Sequence, residues 1–168
     1  MYKFPELDST IRSDMLEEME RDISVGLFYE SVYLQQAFIP VYHQVLYSGF
    51  KNGDVNTIIN ALGSHFFKKK ANNRKTPVNI ATTLAFNDFN RYYMRAILKK
   101  AINESKNVCV YRAKESGNQR SESGMLIGKC YSSKEAESIL EIMRDYRVLF
   151  EKSLEFFKPN SGLSLKTI

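Results

Sequence analysis

The sequence predicts a mainly α (α+β) fold: a helical bundle carrying a small two-stranded β-hairpin and ending in an extended C-terminal tail. Three observations point there. Segments near 9–24, 77–104 and 133–157 repeat apolar residues at helical spacing. Two short β-rich runs, about 108–112 and 125–129, flank a polar loop rich in Gly and Ser. Pro159 and Gly162 then oppose continuation of the last helix. At 168 residues the chain fits one helical domain, read as 1–157, with 158–168 as the tail. A chain of this size buries about two-thirds of its unfolded surface, so stability requires no disulfide or metal staple.

The first helix opens at Asp8 or Ser9, both good N-caps, and places Ile11, Met15, Met19 and Ile23 at a four-residue spacing. Glu17, Glu18, Glu20 and Asp22 occupy other positions and read as a solvated acidic face, with Gly26 as the stop. Residues 27–36 are rich in aromatics and ambiguous between helix and strand. Pro40 suits the first turn of a short helix that Gly49 stops. Asp54 caps another, with Val55, Ile58, Ile59 and Leu62 inward. The run 68–75 has five cations in eight residues and no apolar anchor, which predicts a loop. Thr76-Pro77 supplies a cap and a first-turn proline for the longest helix. Ser132 with Glu135 forms a capping box for the last helix, whose core face reads Ile139, Leu140, Met143, Tyr146, Phe150, Leu154 and Phe157.

Hydrophobic residues at 43%, with 11 Phe and 10 Tyr, mark a globular chain and exclude a disordered one. A net charge of +5 is compatible with nucleic acid or an acidic protein, but is too small to select either. Cys109 and Cys130 flank the expected hairpin, where no CxxC spacing or His cluster suggests zinc; strand pairing would let them face each other, but the reading preferred is a reduced intracellular pair. The N-terminal residues lack the apolar core of a signal peptide, and no apolar run approaches the roughly 18–20 residues of a membrane span. The expectation is a protein made in the cytoplasm, without membrane contact, metal or cofactor.

Catalytic patterns are weak. His43 and His65 have no acidic partner at metal-ligand spacing, and no Ser or Cys occupies a nucleophile elbow. Nothing in the spacing requires Glu30 and the first-helix carboxylates to meet. Two sets of cations merit attention instead. Arg91, Arg95 and Lys99 recur every four residues, which predicts a basic helix edge; with Arg112, Lys114, Arg120 and Ser121 of the polar loop they form an anion- or partner-binding candidate. Lys68, Lys69, Lys70, Arg74 and Lys75, preceded by Phe66 and Phe67, form the nucleic-acid candidate, because cations interleaved with aromatics suit single strands.

The segments 82–95 (Thr-Thr-Leu-Ala-Phe-Asn-Asp-Phe-Asn-Arg-Tyr-Tyr-Met-Arg), 110–114, 120–128 and 159–165 resemble those of small proteins encoded by tailed bacteriophages and prophages. That resemblance implies a viral origin and a place in the virion, and carries over no activity or site residue. The first expectation is therefore a non-enzymatic structural protein, a head, neck or tail-connector component in a homo- or hetero-oligomer. Its tail residues Leu163, Leu165 and Ile168 are expected to dock on a neighbouring subunit, because burying each contributes about 1.5–3 kcal/mol. A nucleic-acid-binding accessory protein is the second expectation. A small enzyme acting on a phosphorylated or nucleotide substrate at Arg91, Arg112 and Arg120 is the third.

Overall fold

A computed structural model describes residues 1–115, 124–152, 154, 156–157 and 161–168. The fold is mainly α with some β, as its helical periodicity predicts. The chain resolves into two compact units, Met1–Phe28 with Asn90–Ile168, and Tyr29–Phe89.

In the first unit, α1 (Ser9–Ser24) starts at Asp8, whose carboxylate accepts the Ile11 N–H at 2.9 Å. It ends in a Schellman motif. Gly26 takes φ +71°, the Leu27 N–H reaches the Asp22 carbonyl at 2.8 Å, and the Gly26 N–H reaches that of Ile23 at 3.3 Å. The long helix, labelled α4 (Ile80–Asn103), contributes its residues from Asn90 onward to this unit. Its start lies three residues later than the sequence suggests, because the Thr76 hydroxyl donates to the Lys68 carbonyl and does not cap the helix.

The strand β3 (Val108–Arg112) lies at the centre of an antiparallel sheet of order β4-β3-β5, with β4 at Cys130–Tyr131 and β5 at Leu163–Thr167. The second hairpin strand, expected at 125–129, thus sits at 130–131. Gly128, at φ +86°, completes the turn just before it, with its N–H on the Val110 carbonyl at 2.9 Å. Pairing sets Cys109 directly opposite Cys130, and the two form a disulfide, which corrects the expectation of a reduced pair. Their Cα atoms are 4.0 Å apart because the sheet register itself faces them together.

The tail is extended, as expected, but it docks on its own chain. All five residues of β5 pair with β3, from Val108↔Thr167 to Arg112↔Leu163. Leu163 and Leu165 are fully buried, while Ile168 is exposed. The Asn90 side-chain amide donates to the Leu163 carbonyl at 2.7 Å, and Glu6 accepts from the Thr167 N–H at 2.7 Å and its hydroxyl at 2.6 Å. Gly162 makes the entry possible. Its φ is +69°, its carbonyl accepts both Ala113 and Lys114 N–H groups, and a Cβ there would come within 3.2 Å of the Lys114 Cβ.

The last helical segment also differs from the single helix read over 133–157. Its capping box forms as predicted, but the segment breaks into α5 (Ser133–Met143) and α6 (Tyr146–Lys152). Asp145 accepts the Arg147 N–H at 3.0 Å and opens the second piece. The break shifts the helical phase, so that Leu149 is buried in place of the expected Phe150; beyond the helix, Phe156 is buried and Phe157 only partly so.

The second unit is built on α2 (Ile39–Asn52) and α3 (Val55–Ala61). Gly49 does not stop α2 but lies inside it, because a Cβ there would come within 2.4 Å of the Ile58 Cγ1 as α3 packs alongside. Asp54 and Thr57 form the capping box of α3. Residues 29–35 contain no helix, and Leu34 bridges Phe67. Tyr42, Leu46, Phe50, Ile58 and Phe89 fill the interior, with the Phe50 and Phe89 rings edge to face at 5.6 Å.

Candidate nucleic-acid interface

The basic run is a β-hairpin and not the loop that its lack of apolar residues suggested. The strands β1 (Lys70–Ala71) and β2 (Arg74–Lys75) pair antiparallel across the two-residue turn Asn72-Asn73. Both asparagines take left-handed conformations, φ 50° and 60°, as a type I′ turn requires. Thr76 ties the base, its N–H reaching the Lys69 carbonyl at 3.1 Å and its hydroxyl that of Lys68. Local hydrogen bonding thus sets the hairpin's shape without any apolar anchor.

Lys68, Lys69, Lys70, Arg74 and Lys75 are all exposed. Lys68 is tethered by an Nζ hydrogen bond to the Val32 carbonyl at 3.1 Å. The other four make no ion pair among the described residues, and the sequence contains no Asp or Glu between Asp54 and Asp88. Pairing sets Lys70 directly across from Lys75, a like-charge arrangement that costs roughly 0.2–1 kcal/mol in an isolated sheet. An anionic partner would relieve that repulsion. Phe66 and Phe67, the aromatics expected to offer stacking surfaces, are instead buried at 3% and 9% exposure.

The other predicted cation set is consumed internally. Arg91 and Arg95 do not form an exposed edge: Arg91 is 5% exposed and Arg95 0%. Arg95 holds two carboxylates of α1. It donates to the Glu18 Oε2 at 2.6 and 2.8 Å and to the two Asp22 oxygens at 2.5 and 2.9 Å. The Tyr92 hydroxyl adds a bond to Asp22 at 3.0 Å, and Arg144 binds the Glu18 Oε1 at 2.6 Å. Lys99 pairs with Asp14 and Glu17, each at 2.7 Å. The acidic residues Glu18 and Asp22, read as part of a solvated face, are thus buried as counterions.

This network has a pH signature. Burial pushes the Glu18 carboxyl up, but Arg144 and Arg95 together outweigh it and hold the group at about 2, against an ordinary 4.5. A carboxyl with a lowered folded-state value stabilises the fold above its unfolded value and loses that contribution as pH falls through the folded one. Stability measured by urea unfolding should therefore decline between pH 4.5 and about 2, and replacing Glu18 with Gln should flatten that part of the profile.

Arg112 is half-buried, with a bond to the Ser161 carbonyl at 3.4 Å, and Lys114 lies 5.9 Å over the Tyr2 ring. Arg120 and Ser121 lie outside the described residues. A cleft of about 480 Å³ adjoins the ion network and is lined by Lys99, Asn103, Glu137, Glu141 and Arg144 among others. Its Lys99 and Arg144 are already engaged by carboxylates, Arg144 by Glu141 as well as Glu18. Among the described residues no group of three His, Cys, Asp or Glu side chains is placed to hold a metal, and no helix is long and apolar enough to cross a membrane.

The residues missed in the sequence were Asn72 and Asn73, which shape the hairpin, and the buried partners Glu18, Asp22 and Arg144. Signals for both were present: two asparagines between short polar runs for the turn, and the i, i+3, i+4, i+7 placement of Met15, Glu18, Met19 and Asp22 on one face of α1. No family model, curated protein or solved structure matches the chain.

Proposed function

We propose that the chain is a non-enzymatic accessory protein that holds nucleic acid through the 68–75 hairpin, in the tailed-phage setting its sequence resembles. One observation carries the reading: four exposed cations with no counterion among the described residues are mounted on a hydrogen-bonded hairpin with a defined turn. Electrostatic contact with phosphates supplies most of the affinity of such a surface. The resemblance would make the protein a component of a particle that packages nucleic acid. We place its synthesis in the cytoplasm; its disulfide suits the oxidising surroundings that a released particle meets.

Assembly through the tail loses its main support, because Leu163 and Leu165 are buried within their own chain. Lys99 and Arg144, the cations that line the cleft, are engaged by carboxylates, so that cleft offers an anionic substrate no unpaired cation among the described residues. A carboxyl held near 2, as Glu18 is, makes a poor general acid or base at neutral pH.

Amide resonances followed during titration with a DNA duplex should test the location. Those of Lys68 to Thr76 should shift, while those of α1 should stay in place. Shifts confined to α1 and the cleft beside Arg144 would move the site to the other unit and reject the hairpin.

A further inference from the structure

The hairpin carries its cations on both of its faces. Residues directly opposite in an antiparallel pair share a face, and neighbours along a strand alternate. Lys70 and Lys75 therefore share one face, and Ala71 and Arg74 the other. Lys69 lies at a bend immediately before β1, its carbonyl accepting the Thr76 N–H at 3.1 Å. With Lys68 held by the Val32 carbonyl, the strand cations stand on both sides of the ribbon, Lys70 and Lys75 on one and Arg74 on the other.

This arrangement discriminates between polyanions. A flat surface, such as an acidic protein patch or an anionic membrane, meets one face of a ribbon and leaves the cations of the other face in water. A groove bounded by two rows of phosphates meets both faces at once. The major groove of B-form DNA is about 12 Å wide and admits a two-stranded ribbon. The A-form RNA major groove is too narrow and deep for such an entry. Single strands are bound largely by stacking on aromatic side chains. Here Phe66 and Phe67 are buried, and the hairpin from Lys68 to Lys75 contains no aromatic residue. At the tip, Asn72 and Asn73 are exposed, and an asparagine amide both donates and accepts in a groove.

We infer that the hairpin is a groove-entering arm for double-stranded DNA, with Lys70 and Lys75 facing one phosphate row and Arg74 the other. This inference rests on the nucleic-acid reading and goes beyond it by naming the form of the partner and the pose.

Full-length protein and two variants, Lys70→Gln/Lys75→Gln for one face and Arg74→Gln for the other, would be titrated across a salt series. The probes are a DNA duplex and one of its strands alone, with circular dichroism confirming that each variant is folded. The wild type should bind duplex more tightly than the single strand. Each variant should weaken duplex binding and reduce the slope of log K against log salt, by about 1.8 for the double substitution and about 0.9 for the single one, since each neutralised phosphate contributes about 0.9. Duplex binding lost in only one of the two variants would show contact with a single face and overturn the pose. Tighter binding to the single strand would overturn the choice of duplex, while leaving the nucleic-acid reading intact. Absence of binding to either probe at low salt would remove the nucleic-acid reading and this inference with it.

Discussion

Replacing Arg95 with methionine should lower the unfolding free energy by about 3–5 kcal/mol, because it strands buried carboxylates. Arg95 is fully buried and gives Glu18 and Asp22 two short bonds each. Without it Glu18 keeps Arg144, but among the described residues the Asp22 carboxylate keeps only the Tyr92 hydroxyl and a longer contact to Arg21 at 3.2 Å. A buried charge without its partner costs far more than the intact pair contributes, because water no longer solvates it. The asymmetry gives a second expected result. Removing all three charges together, as Glu18→Leu/Asp22→Leu/Arg95→Met, should recover much of the loss, since apolar replacement of a buried ionic group is often neutral or stabilising. Urea midpoints of the wild type, single and triple variants would decide this. A loss under about 1 kcal/mol for the single variant would mean that the network behaves like exposed ion pairs.

Converting Lys68, Lys69, Lys70, Arg74 and Lys75 to glutamine should reduce affinity for duplex DNA by about a thousandfold at about 0.1 M salt. The size of the effect follows from counterion release: four cations, each neutralising one phosphate, contribute a factor that grows steeply as salt falls. The fold should not suffer. None of the five side chains lies in the core, and the substitution removes the repulsion between Lys70 and Lys75. Loss of binding in a folded variant would therefore report the contact itself.

The helices were legible where periodicity and caps agreed. Asp8, Asp54 and the Ser132–Glu135 box all cap as their sequence context predicts. Tertiary contacts decided the rest. Gly49 reads as a stop but serves as a packing site for Ile58, which only the position of α3 reveals. The phase change at Asp145 rests on a local side-chain bond that interrupts an otherwise continuous apolar pattern. The tail was correctly read as extended, yet its partner is β3, more than 50 residues earlier in the chain, and periodicity does not specify pairing over that distance. The same limit hid the fate of Arg91 and Arg95. Their four-residue spacing shows that they share a helix face, not whether that face meets water. The run from Lys68 to Lys75 reads as the nucleic-acid candidate from its charge and the preceding Phe66 and Phe67, although both aromatics are buried. The hairpin that splits those charges between two faces depends on the Asn72-Asn73 turn, a signal outweighed in the sequence by the absence of apolar residues.

The most direct test of the hairpin as a DNA contact is the salt dependence of duplex binding in the wild type and in the five-glutamine variant. For the wild type, log K should fall with log salt at a slope of about −3.6, the value for four neutralised phosphates, and the slope should approach zero in the variant. Equal slopes in the two proteins would place the phosphate contacts elsewhere on the chain and contradict the account.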